Sequence, residues 1–328
     1  MKALITGSTG FVGSHLAEYL LSQGIEVFGT KRPRSRDEFK IDKVGYVEAD
    51  ITDPTAMKMT INKTMPDVIF HLAAQSDVRF SFDNPVATFC NNAVGTLILL
   101  EAVKELKPDT IIHIAGSSEE YGRIAREDLP TTEKVALFPQ SQYAVSKIAC
   151  DYFGQQYFYS YGLKTVITRA FNHEGPRRGE NFAPSAFAKQ IAEIEAGLKE
   201  PVLVHGNLES CRDYTDVRDM VKAYWLATRH CVYGEPYNIC SGKTYRIGAM
   251  LNQLLEMSTA EIELRVDKTK MRPSDVPILL GSYKRFYNAT GWKPEIPFEQ
   301  TLKDLLNYWR EKVAITNGKH VVVRSLGN

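Results

Sequence analysis

The sequence predicts an α/β protein, a doubly wound parallel sheet with a smaller C-terminal α/β lobe. Three observations point there. Short apolar runs alternate with helix-period segments through the first two-thirds of the 328 residues, as βαβ units require. A glycine-rich turn joins the first run to the first helix. After about residue 172 the alternation gives way to a different rhythm, so a first domain is expected over 1–171, a second lobe mainly over 172–313 with segments that return to the first, and a tail over 314–328.

In chain order, strands are expected at 2–6, 26–29, 45–48, 67–71, 110–115 and 165–169. Each is short and apolar, as a strand covered on both faces should be. Helical patterns lie between them, notably 12–22 and the long 85–106. The second lobe begins with a helical pattern at 183–197 and a short strand at 201–204. A helix at 217–228 follows, and an amphipathic helix at 298–312 ends the lobe.

Composition narrows the function classes. Hydrophobic residues make up 44% and charged residues 24%, with a net charge of +1. No global field recruits nucleic acid or an acidic membrane, so an anionic ligand must be held by local cations. No apolar stretch approaches the roughly 18–20 residues of a membrane span. The N-terminus shows no signal-peptide pattern, and the five cysteines are scattered without CxxC spacing. A cytoplasmic protein without disulfides or zinc is therefore expected. His113, His173 and His205 show no metal-ligand spacing.

The turn Gly7-Ser8-Thr9-Gly10-Phe11-Val12-Gly13 has GxxGxxG spacing between a strand and a helix. Glycines there permit a tight turn, close approach of backbone to a pyrophosphate, and close helix packing, and the helix N-terminus offers free N–H groups to phosphates. This is a Rossmann-type dinucleotide site. The second strand runs into Lys31, Arg32, Arg34 and Arg36 with no acid before Asp37, which suits the 2′-phosphate of NADP better than the bare ribose of NAD. Asp50 and Ile51 after the third strand, and Leu72, Ala73 and Ala74 after the fourth, are candidates to flank the same cofactor.

Tyr143 and Lys147 have YxxxK spacing, which on a helix puts phenol and ammonium on one face. A neighbouring lysine, together with the positive charge of the nicotinamide, favours the phenolate and makes Tyr143 a usable base near neutrality. The pair follows the Ser117-Ser118 turn.

These motifs together resemble the extended short-chain dehydrogenase/reductases. Within them, Ser117-Ser118-Glu119-Glu120-Tyr121-Gly122 and the stretch from Phe171 to Glu180 are similar to GDP-mannose 4,6-dehydratases. Segments 206–213 and 272–276 resemble their GDP-binding segments, whereas Phe11-Val12, Ser117 and the Ser117-Ser118-Glu119-Glu120-Tyr121-Gly122 turn itself look as much like the related GDP-4-dehydro-6-deoxy-mannose reductases. The resemblance implies a catalytic set of Ser117, Glu119, Tyr143 and Lys147. It also implies a GDP-sugar contacted by Ser76, Ser118, Asn172, Lys189, Asn207, Arg212 and Arg272. In a dehydratase Tyr143 takes the C4 hydroxyl proton and Glu119 the C5 proton, with Ser117 assisting loss of water from C6. In a reductase Tyr143 protonates the C4 oxygen and Glu119 has no proton to move. Another nucleotide-sugar epimerase or dehydratase stays open. A non-catalytic NADP-binding scaffold is the alternative of a different class, and it would be expected to lack one of the four residues. The helices at 86–106 and 143–161 resemble those of a homodimer interface, and the basic loop at 31–36 resembles one that builds a tetramer.

Overall fold

The computed structural model describes residues 1–33, 39–271 and 276–316. Among the described residues thirteen strands run in chain order. The first six are β1 (Lys2–Thr6), β2 (Glu26–Lys31), β3 (Gly45–Glu48), β4 (Val68–His71), β5 (Ile111–Ser117) and β6 (Thr165–Ala170). They are followed by β7 (Asn172–Glu174), β8 (Val202–His205), β9 (Cys211–Asp216), β10 (Pro236–Ile239), β11 (Thr244–Arg246), β12 (Glu263–Val266) and β13 (Ile278–Leu279). The six strands read in the first two-thirds of the sequence join β10 in one seven-stranded parallel sheet, ordered β10-β6-β5-β4-β1-β2-β3.

The central strands are apolar because helices cover both faces. Ala3, Leu4 and Ile5 of β1 and Ile69 and Phe70 of β4 are fully buried. Helices Phe11–Ser22 and Val217–His230 enclose one core, with Leu16, Leu20, Met220 and Tyr224 among its residues. Helices Pro54–Thr64, Gly95–Leu106 and Gln142–Tyr161 enclose the other, around Ile61, Leu99, Val103 and Tyr157. Strand order reverses between β1 and β4, and such a switch point opens a crevice at the carboxyl ends of the strands.

The seventh strand, β10, was not legible as a strand. It is four residues long, opens on a proline and carries Asn238, whose buried side chain accepts a hydrogen bond from Tyr121. Polar pairing, rather than an apolar run, marks its place. The second lobe centres on β9, flanked by β11, β13 and β7, with a separate β8–β12 pair. Helices Ala183–Glu195, Ile247–Glu256 and Phe298–Thr316 bury Phe187, Leu251, Leu305 and Trp309 together as its core.

One expectation is corrected. The helical stretch Pro85–Leu106 is long and apolar enough, by length and composition, to cross a membrane, but half of its apolar window is packed inside the fold. Its apolar side is a core face, interrupted by a π-helical turn at Cys90–Val94.

Candidate active site

A cleft of about 660 Å³ opens at the switch point. Its floor is the glycine turn. Gly7 has φ +71, and a Cβ there would stand 2.9 Å from Ala73 Cα, so the turn lies directly on the end of β4. At Gly13 a Cβ would meet the Gly7 carbonyl oxygen at 2.3 Å, which only glycine avoids. Thr6 braces the arrangement. Its hydroxyl receives the N–H groups of Leu72 and Ala73, each at 3.1 Å, and pairs with His71 at 2.8 Å. Burial pushes His71 down to about 3, so the ring is neutral.

Gly7, Thr9, Gly10, Phe11, Val12, Gly13, Lys31, Arg32, Ile51, Leu72, Ala73 and Ala74 all line the cleft. Asp50 does not. It accepts from the N–H and hydroxyl of Thr52, which hold its carboxyl below the usual range, and it closes the turn after β3. Arg34 and Arg36 lie outside the described residues.

Ser117, Ser118, Glu119, Tyr143 and Lys147 face the same cleft from the end of β5 and the helix Gln142–Tyr161. Ser141 caps that helix by accepting the Ala144 N–H, which fixes Tyr143 in its first turn. Lys147 Nζ donates to the Ala115 carbonyl at 2.8 Å and lies 5.9 Å from the Tyr143 ring centroid. Ser117 lines the cleft with Tyr143 and acts to lower its pKa. Burial raises the Tyr143 pKa and outweighs the Lys147 charge and the Ser117 contribution, which both act downward. The phenol is therefore neutral in the unliganded protein, and a further positive charge beside it is required to draw the proton off.

Among the residues expected to hold the second ligand, Ser76, Ser118 and Asn172 line the cleft. Three do not. Lys189 opens onto a separate cavity beside Trp309 and is ion-paired with Glu180 and with Glu193. Asn207 is turned onto its own loop, accepting the Glu209 N–H and donating to Ser210, each at 2.9 Å. Arg212 is buried in β9 and donates to the Cys211 carbonyl. Arg272 lies outside the described residues.

Sequence reasoning does not mark Arg178 as a site residue, although it lies in the stretch from Phe171 to Glu180 that carries the resemblance. Arg177 stands at φ +73 and clamps its loop to the first helix with two bonds to Glu18, at 2.6 and 2.9 Å. The next residue is thereby turned into the cleft. The Arg178 guanidinium stacks 3.3 Å from the Phe182 ring centroid and 5.0 Å from that of Phe11. Its ion-pair partner Glu174 is 3.6 Å away, and burial raises that carboxyl to about 7. Arg178 Nε and Glu174 Oε2 have no hydrogen-bond partner within the protein. A buried guanidinium with spare donors at a cleft wall suits an anion or an amide carbonyl. His173 stacks on Phe11 beside it, with centroids 5.9 Å apart.

The glycine turn, the Ser/Tyr/Lys set and the loop bearing Arg178 thus meet in one cleft. The family model described as GDP-mannose 4,6 dehydratase matches residues 4–305. This chain belongs to that family. As a GDP-mannose 4,6 dehydratase family member it is an enzyme of the extended short-chain dehydrogenase/reductase class. It is 33% identical over 346 residues to GDP-mannose 4,6 dehydratase 2 of Arabidopsis thaliana, covering 96% of this chain and 90% of that protein. It is also 32% identical over 313 residues to the GDP-6-deoxy-D-mannose reductase of Pseudomonas aeruginosa, covering 95% of this chain and 98% of the reductase. Among solved structures, RMD from Pseudomonas aeruginosa complexed with NADPH superposes with a TM-score of 0.83 at 31% identity, covering 95% and 99% of the two chains. A Thermus thermophilus UDP-glucose 4-epimerase in complex with NAD gives 0.84 at 28%, covering 94% and 99%. The family member described here therefore resembles a dehydratase and a reductase about equally in sequence.

Proposed function

We propose that this enzyme is an NADP-dependent nucleotide-sugar 4,6-dehydratase that converts GDP-mannose to GDP-4-dehydro-6-deoxy-mannose. The observation that carries the reading is Glu119, a partly exposed carboxyl on the same turn as Ser117 and lining one cleft with Tyr143. A reaction that removes a C5 proton has a use for a carboxylate base there, whereas C4 reduction leaves it no proton to move. Tyr143 would take the C4 hydroxyl proton, Glu119 the C5 proton, and Ser117 with Glu119 would assist departure of the C6 hydroxyl as water. NADP supplies a reversible hydride acceptor, so the cycle is redox-neutral. The glycine turn would hold the pyrophosphate, Lys31 and Arg32 the 2′-phosphate, and Arg178 with His173 would border the nicotinamide end.

A second reading, NADPH-dependent C4 reduction of the 4-dehydro-6-deoxy sugar, is favoured by one observation. Tyr143 is held neutral by burial, the state in which it donates a proton to a C4 oxygen. Incubation with GDP-mannose and no added NADPH separates the two. Loss of one water with a new C6 methyl signal in the proton spectrum supports the dehydratase. An unchanged substrate, together with NADPH oxidation on the 4-keto-6-deoxy product, overturns it and leaves the reductase.

The outer faces of Pro85–Leu106 and Gln142–Tyr161 carry exposed Val86, Phe89, Val94, Val145, Tyr152, Tyr159 and Tyr161. A stripe of that kind on two adjacent helices supports a homodimer with a four-helix interface. Light scattering at micromolar concentration checks it, a monomeric mass being the contrary result. Five unpaired cysteines fit a reducing cytoplasm.

A further inference from the structure

We infer that Glu120, clamped between Arg169 and Asp151, is the positioning residue that fixes Ser117 against Tyr143; this rests on the proposed reading of those two side chains as reacting groups. Glu120 lies behind the cleft wall and is not among the residues lining it. Its Oε1 accepts the backbone N–H of Ser117 at 2.6 Å, while Ser117 Oγ accepts the N–H of Glu119 at 3.2 Å. The two bonds form a reciprocal box that sets both the backbone and the χ1 of Ser117.

The box is anchored to the helix that bears Tyr143. Asp151 lies two helical turns after Tyr143 and one after Lys147, on the same face. Its Oδ2 accepts from Arg169 Nε at 2.7 Å, and that same nitrogen is 3.4 Å from Glu120 Oε2. One guanidinium at the end of β6 therefore joins the turn carrying Ser117 to the helix carrying Tyr143. Arg169 is held in turn by the Tyr121 hydroxyl at 3.1 Å, and Tyr121 by Asn238 at 2.7 Å.

The charges in this clamp do not balance if both acids are ionised. Glu120 and Asp151 have fully buried side chains, and Arg169 is 5% exposed. Two carboxylates against one guanidinium would leave a buried negative charge, which is strongly disfavoured. Glu120 Oε2 has no partner as an acceptor, and the arrangement is resolved if that oxygen carries a proton and donates it toward Asp151. Burial and the facing Asp151 both push Glu120 in that direction. A neutral Glu120 then accepts from Ser117 with one oxygen and donates with the other. Glutamine reproduces that pattern and leucine does not.

The test uses the full-length enzyme with Glu120→Leu, Glu120→Gln, Ser117→Ala and the Glu120→Leu/Ser117→Ala double variant, assayed on GDP-mannose. Backbone hydrogen exchange over residues 111–121 is followed alongside. Glu120→Leu is expected to lower kcat about 10- to 100-fold with KM within about twofold, and Glu120→Gln to restore it to within about threefold of wild type. The double variant should be no more than about twofold slower than Ser117→Ala, because the two residues act as one unit. Exchange of the Ser117 amide should rise about tenfold in the leucine variant and stay at wild-type rate in the glutamine variant. A leucine variant within threefold of wild type, a glutamine variant as slow as the leucine one, or multiplying losses in the double variant would each overturn the assignment. If the leucine variant fails to fold, the glutamine variant decides: retained turnover and Ser117 protection support the clamp, and loss of either sinks it. A wild type inactive on GDP-mannose refutes the proposed reaction, and the exchange rates then judge the clamp on their own.

Discussion

Lys147 gives a hydrogen bond from Nζ to the carbonyl oxygen of Ala115 across 2.8 Å, so the last turn of β5 sets where the ammonium sits. From there it faces the Tyr143 ring and is 6% exposed. The charge opposes the upward pull of burial on the phenol without overcoming it. Replacing Lys147 by methionine should therefore raise the Tyr143 pKa further, and Tyr143→Phe should remove the proton-transferring group. Turnover should fall about 10²- to 10⁴-fold in either variant, while the thermal midpoint stays close to wild type. Steady-state kinetics on GDP-mannose checks this, and full activity in Tyr143→Phe would remove Tyr143 from the proton-transfer role.

The glycine turn makes a sharper structural prediction. A Cβ at Gly13 would meet the Gly7 carbonyl at 2.3 Å and Ser8 Cα at 2.8 Å, both backbone atoms that cannot swing away. Gly13→Ala should displace the turn, weaken NADPH binding at least tenfold and cost about 1–3 kcal/mol of stability. Fluorescence titration of NADPH and a denaturant melt measure the two effects separately.

Cofactor choice rests on cations at the end of β2. Arg32 is exposed and lines the cleft just past the end of β2, where the sequence has no acid before Asp37. Arg32→Ala should reduce affinity for NADPH about 10-fold and leave affinity for NADH within about twofold, since only the 2′-phosphate loses a charged partner. Equal losses for both cofactors would place Arg32 elsewhere in the mechanism.

Much of this site was legible in the residues because chemistry and position coincided there. GxxGxxG sits between a strand and a helix, and YxxxK places two groups on one helical face, so local spacing alone predicts the encounter. Lys189, Asn207 and Arg212 show the limit of that reasoning. A cation or amide in a promising segment carries no information on which way the backbone turns it, and here each is engaged elsewhere. Arg178 is the converse case. Its direction is set by the left-handed backbone at Arg177 and the distant Glu18 contact, neither of which has a local sequence signature. Strand β10 was missed for a related reason, its place being fixed by Asn238 bonding to Tyr121 across 117 positions.

Acid should unfold the protein from two identifiable points. His71 and His113 are buried, and burial pushes each down to about 3. His71 keeps Thr6 and Thr96 as partners, while His113 bonds Thr168 at 2.8 Å and leaves Nδ1 without one. For a base depressed in the folded state, the unfolded chain binds the proton first. The stabilising effect is complete above about pH 6.5, the unfolded value, and is lost as pH falls toward 3. Glu174, raised to about 7 by burial, has the opposite sign, its contribution being complete below the unfolded carboxylate value and lost as pH rises through 7. His173, pushed by burial down to about 4, acts with the two histidines, and Asp213, raised by burial to about 6, acts with Glu174. Between pH 6.5 and 4 the three histidines outweigh these two acids, so the thermal midpoint should drop by about 5–10 °C over that range. His113→Gln can still reach Thr168 but carries no titrating ring, and it should flatten that slope. Melts from pH 4 to 8 on the two proteins read it directly, and identical slopes would mean the acid sensitivity lies outside this sheet.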